Sequence, residues 1–187
     1  QALLAGDALQ ALAFELLTPP DDMVDATVQA NLCRLLALSA GCHGMAGGQA
    51  IDLSSVGKLL TIDELHTMHR LKTGALLQAS VMMGAACGVS SRSALAGLQQ
   101  YGAAMGLAFQ VVDDILDVTA DTATLGKTAG KDADQQKPTF VSLLGLDKSR
   151  EYADKLLQQA LAALKNTGLQ NTHALQSLAY MVVNRTT

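Results

Sequence analysis

Tryptophan is absent from this 187-residue chain, and aromatic residues of all kinds make up only 3% of it. Any core must therefore be built from Leu, Ala, Val and Met. No run of basic residues occurs, and 13 Lys and Arg against 17 Asp and Glu leave a dispersed net charge of -4, which argues against a nucleic-acid partner. Cysteines number three, at 33, 42 and 87. Their odd count and the lack of a C-x-x-C pair exclude a disulfide framework and point to reduced thiols in a cytoplasmic protein. Long apolar runs are missing as well: the stretch 75–89 is broken by Gln78, Ser80 and Gly84 and is too short for a transmembrane segment. There is no internal repeat, no sustained period-two segment and no visible signal peptide. The chain opens on Gln1 rather than Met, so it reads as a fragment or processed product.

What the sequence does have is helical periodicity over most of a chain that is 49% hydrophobic. The expected fold is an all-α bundle forming one domain. A first helix is expected over 2–17, stopped by Thr18-Pro19-Pro20, and a second from the acidic pair Asp21-Asp22 to about 39. The second could continue to 52, although Gly41, Gly44, Gly47 and Gly48 weaken it. Thr61-x-x-Glu64 is a capping box that starts a third helix running to about 87. A fourth is expected over 93–119, then a polar loop to 139, and shorter helices from 140, over 148–166 and over 172–184.

Three carboxylates interrupt the apolar fourth helix: Asp113, Asp114 and Asp117. Helical spacing stacks Asp113 and Asp117 one turn apart, with Asp114 on the flank. Unpaired carboxylates buried in such a helix are costly, so a cation must compensate them. Mg²⁺ takes oxygen ligands and is held by one or two carboxylates together with substrate phosphates. The loop that follows holds Lys127, Lys131 and Lys137, which could reach phosphate oxygens. Lys72 and Thr73 sit in mid-helix, and Gln49 and Gln110 are amides in apolar settings that need partners. His66 and His69, spaced i, i+3, could share a metal, but no third ligand is evident.

At these residues the chain resembles a known family. The stretch Phe109-Gln110-Val111-Val112-Asp113-Asp114-Ile115-Leu116-Asp117 is similar to the second aspartate-rich motif of trans-polyprenyl diphosphate synthases, most closely the bacterial farnesyl type and its geranylgeranyl relatives. Further matches follow the family's order: residues 4–9 (LAGDAL), 47–53 (GGQAIDL), 72–76 (KTGAL), 125–132 (LGKTAGKD), Lys137-x-Thr139 and 143–146 (LLGL). The resemblance implies an isoprenoid-synthase-type helical bundle, incomplete at its N-terminus. Residues 1–187 would be the C-terminal two-thirds of a single domain, because the first aspartate-rich motif and the Gly-Gly-Lys-Arg-x-Arg-Pro type segment are absent. It also implies a Mg²⁺-dependent prenyltransferase, with Mn²⁺ a possible substitute, that joins an allylic diphosphate to isopentenyl diphosphate and works as a homodimer.

Residue by residue, the resemblance makes Asp113 and Asp117 the metal ligands, with Asp114 behind them. Lys72, Thr73, Gln110, Lys127 and Lys137 would hold the allylic diphosphate, and Gln49 would face its chain. The sequence departs from the family pattern at Gln136, where Gly is usual, and at Phe140-Val141, where Tyr-Pro is usual. The fragment alone is expected to be inactive. The competing expectation is a non-catalytic helical partner of an intact synthase.

Overall fold

The computed structural model describes residues 1–20, 23–88, 91–119 and 137–185. Among them the chain is helical, with no strand. The first helix, α1 (Ala2–Leu17), ends where Thr18-Pro19 stops it, as the sequence predicts. The second, α2 (Ala26–Ala40), begins four residues later than the Asp21-Asp22 reading places it. Asp25 is the cap, its carboxylate accepting from the Thr27 N–H at 2.8 Å, and Asp21 and Asp22 lie outside the described residues. The possible continuation to 52 does not occur. The chain breaks at 41–44 and restarts as α3 (Met45–Ser54).

The capping box is formed on both sides: the Glu64 carboxylate accepts from the Thr61 N–H at 2.8 Å, and Thr61 Oγ1 accepts from the Glu64 N–H at 3.3 Å. It opens α4 (Ile62–His69), which runs through a π-helical turn, Arg70–Gly74, into α5 (Ala75–Ala86). The sequence reading of one uninterrupted helix misses that turn. An inserted π turn displaces the side chains that follow it and is frequent at functional sites, and here it carries Lys72 and Thr73. The long α6 (Arg92–Thr119) is followed, after a segment outside the described residues, by α7 (Phe140–Leu144), α8 (Leu146–Asn166) and α9 (His173–Val183).

α6 is the axis of the bundle, with α5, α8, α9 and the π turn against it. One core cluster joins Leu65, Met68, Val111, Val112, Phe140 and Leu156, and a second joins Leu98, Tyr101, Met105, Leu157 and Leu164. These are the aliphatic residues the composition demands, with Phe140 and Tyr101 as the aromatic exceptions. Two glycine crossings fix the π turn. A Cβ on Gly48 would lie 2.5 Å from Lys72 Cα, and one on Gly106 would lie 2.5 Å from Gly74 Cα. With a hydrogen at each position, α3 and α6 close on the turn from two sides.

Candidate active site

Because α6 faces the π turn, its three aspartates open onto a cavity of about 290 Å³ that also meets Asp52, His69, Lys72, Gln110 and Lys137. Helical spacing stacks Asp113 and Asp117 together with Asp114 on the flank. The structure divides them differently: Asp114 and Asp117 are buried, and Asp113 is the half-exposed residue at the rim. Asp114 Oδ2 accepts the Phe140 N–H at 2.7 Å, and Asp114 Oδ1 accepts from Gln110 Nε2 at 3.1 Å. A carboxylate only accepts, so Gln110 must turn its NH₂ toward Asp114. Its Oε1 then takes the Thr73 hydroxyl at 3.2 Å. The result is a chain of polar contacts running from the π turn, across α6, to the first residue of α7.

That chain anchors the start of α7. Phe140 is fully buried, and the His66, His69 and Tyr152 rings lie 5.3 to 5.8 Å from its ring. His66 also meets the Tyr152 hydroxyl at 3.2 Å. The two histidines pack against an aromatic cluster. His69 is buried, and burial, reinforced by the Lys72 cation, pushes its pKa down to about 3. The imidazole is therefore neutral at pH 7. Asp114→Asn puts an NH₂ where one of two donors now binds an oxygen, leaving a buried donor facing a donor. The expected loss is about 1–3 kcal/mol of stability, read as a lower denaturant midpoint with an unchanged m-value; a midpoint equal to wild type would show that the anchor contributes nothing.

Lys72 Nζ donates to Asp52 Oδ2 at 2.6 Å, the lysine being one-third exposed and the aspartate buried. Asp52 was not singled out in the sequence, although a lone Asp in the apolar run Gln49-Ala50-Ile51-Asp52-Leu53 is the same signal that identified α6. Arg185 was also missed. From just beyond α9 it reaches Asp113, Nη2 to Oδ1 at 3.6 Å, and so supplies one cation that the sequence demanded. Among the candidate residues, Lys72, Gln110, Asp113, Asp117 and Lys137 meet at the cavity, and Thr73 joins through Gln110. Gln49 lies on α3 away from the described wall of this cavity, and Lys127 and Lys131 lie outside the described residues.

The charges decide what the cavity can hold. Among the described residues that line it, four carboxylates face two ammonium groups, with His69 neutral. With Arg185 offsetting only part of the excess at Asp113, such a site holds a multiply charged anion weakly until a further cation enters. No group of three His, Cys, Asp or Glu side chains able to hold a metal occurs among the described residues. Mg²⁺ does not need such a cage, since it keeps waters and completes its octahedron with phosphate oxygens; Asp113 and Asp117 fit that requirement. A larger cavity of about 590 Å³ opens between α4, α6 and α8, but it contains neither a carboxylate nor a lysine.

The chain is similar in sequence and fold to known proteins. A Bradyrhizobium diazoefficiens protein named "Probable farnesyl diphosphate synthase" is 52% identical over 171 residues, which are 89% of this chain and 51% of the relative. The Escherichia coli farnesyl diphosphate synthase is 46% identical over 188 residues, covering 98% of this chain and 63% of the relative. The crystal structure of the Helicobacter pylori geranyltransferase complexed with magnesium and isoprenyl diphosphate superposes with a TM-score of 0.82 at 35% identity, covering 98% of this chain and 59% of that one. The chain thus spans about half to three-fifths of the length of the relatives it matches. The family model described as polyprenyl synthetase matches residues 1–178; with the helical fold and the aspartate helix facing Lys72, this establishes that the chain belongs to the polyprenyl synthetase family.

Proposed function

We propose that the complete protein is a prenyltransferase that condenses an allylic diphosphate with isopentenyl diphosphate to give a short-chain, farnesyl-type diphosphate for isoprenoid biosynthesis. The observation that carries this reading is the charge inventory of the cavity: a carboxylate excess beside Lys72 and Lys137 suits a diphosphate that arrives with a divalent cation. Asp113 and Asp117 would hold Mg²⁺, which when bound neutralises the departing diphosphate. Mn²⁺, also a hard cation, is proposed as a substitute. Lys72, released from Asp52, and Lys137 would bind diphosphate oxygens, joined by Lys127 from the loop. Thr73 and Gln110 orient the carboxylate helix, and Gln49 would lie along the allylic chain. The apolar walls supplied by the bundle exclude water, so the allylic cation formed when the C–O bond breaks is attacked by the isopentenyl double bond before water reaches it. A proton is then lost to restore the alkene.

The same reading makes the protein a homodimer in the cytoplasm. Supporting it, Leu3, Leu4, Leu9 and Leu16 are 65–78% exposed along α1 and invite cover. Among the described residues no helix is long and apolar enough to cross a membrane. The test is direct. With isopentenyl diphosphate, an allylic diphosphate and Mg²⁺, the complete protein should form a longer prenyl diphosphate detectable by mass, and a chelator should stop it. The 187-residue chain alone should form none. Failure of the complete protein to elongate any allylic diphosphate, or elongation unaffected by the chelator, would overturn the reading.

A further inference from the structure

Arg185 lies seven residues beyond the last one matched by the family model, yet it is among the most constrained cations of the described structure. Its Nη2 donates to the Phe109 carbonyl at 2.9 Å, and its guanidinium carbon sits 4.0 Å from the centre of the Phe109 ring. Planar stacking on an aromatic face combined with a directed N–H bond is a geometry that Arg supplies and Lys does not. So held, the guanidinium reaches Asp113 Oδ1 at 3.6 Å. Phe109 and Asp113 are four residues apart on α6, so one side chain from the end of α9 spans a full turn of the aspartate helix. Only 18% of the Arg185 side chain is exposed, against 36% for Asp113. Burial opposes the arginine's charge and Asp113 supports it. A cation kept out of water in this way needs a reason beyond tethering a terminus.

We propose that Arg185 is a positioning residue for Asp113: it holds this carboxylate while no metal is present and competes with the metal for it. The inference rests on the reading of Asp113 as a Mg²⁺ ligand. Its consequence is an order of loading. Mg²⁺ alone meets a carboxylate already balanced by a fixed positive charge, and also meets repulsion from that charge. A diphosphate brings enough negative charge to offset the guanidinium, so cation and diphosphate enter together. The same guanidinium attracts the diphosphate when metal is absent. Removing the charge should therefore have two effects of opposite sign, which a merely structural role for Arg185 does not produce.

The test uses the complete protein and follows its melting temperature as Mg²⁺ alone, or inorganic pyrophosphate alone, is titrated. In Arg185→Gln the Mg²⁺ concentration for half effect should fall by about three- to ten-fold, as expected for losing one partly screened charge beside a carboxylate. The pyrophosphate concentration for half effect should rise by roughly two- to five-fold for the same electrostatic reason. Arg185→Lys, which keeps the charge but loses the stacked hold on Phe109, should shift both titrations in the same directions as Arg185→Gln but by less. Unchanged or weaker Mg²⁺ binding in Arg185→Gln, or an Arg185→Lys shift as large as that of Arg185→Gln, would overturn the inference. Asp113→Asn separates the two levels. If it leaves the Mg²⁺ response intact, the metal reading itself falls. If it abolishes the response while Arg185→Gln matches wild type, that reading stands and only the role of Arg185 falls.

Discussion

Replacing Asp113 by alanine in the complete protein should lower turnover by roughly 10²–10³-fold, the scale of losing one fixed group that stabilises developing charge. The fold should survive. Asp113 is the one member of the aspartate trio that is not buried, and alanine is the best helix former. What disappears is a carboxylate at the rim and its 3.6 Å pairing with Arg185, an interaction of the partly exposed kind that contributes little to stability. The melting temperature should therefore stay within about 2 °C of wild type, since a substitution of this kind costs about 0.5 kcal/mol or less in a chain of this size. Steady-state rates with both diphosphates at fixed Mg²⁺, measured beside the melting curve, check the two halves. A variant that melts normally and turns over near wild type would remove Asp113 from the metal site. Asp117 offers no such clean comparison, because it is 2% exposed and truncating it disturbs packing and chemistry together.

The sequence made the α6 carboxylates visible because three charges in an apolar helix conflict with burial, and that conflict needs no partner to be seen. It also set α1 and α6 almost to the residue, since Thr18-Pro19 and the long apolar period mark their ends locally. Depth within the trio was not legible. Helical spacing says which residues share a face, but α7 decides which flank is covered, and α7 arrives through the Phe140 N–H on Asp114. The π turn was hidden for a related reason: nothing in Arg70-Leu71-Lys72-Thr73-Gly74 forbids an α-helix, and the extra residue is imposed by α3 and α6 closing at Gly48 and Gly106. Arg185 carried no signal of its own in the sequence, because its contacts, Phe109 and Asp113, lie more than seventy positions away. Asp52 is different. Its signal was present in the apolar run around it and was passed over.

Gly48→Ala tests the claim that close helix approach is what positions Lys72. The added methyl would come within 2.5 Å of Lys72 Cα and 2.8 Å of the Leu71 carbonyl carbon. Those are backbone atoms, with no flexible side chain to yield, so α3 must back away from the π turn. Overpacking of this kind costs about 3 kcal/mol or slightly more, which in a chain of this length lowers the melting temperature by roughly 6–12 °C. The displacement also separates Asp52, one turn further along α3, from Lys72, and so disturbs the 2.6 Å pair that holds the ammonium at the cavity. The Michaelis constant for the allylic diphosphate should rise along with the loss of stability. Gly6→Ala and Gly84→Ala are the internal controls: both positions are helical and nothing lies within 4 Å of the new methyl. They should be neutral or stabilising by about 0.5–1 kcal/mol, the ordinary preference of a helix for alanine. If Gly48→Ala behaved like these two, the contact between α3 and the π turn would not be close enough to position Lys72, and the lysine's place in the site would need another cause.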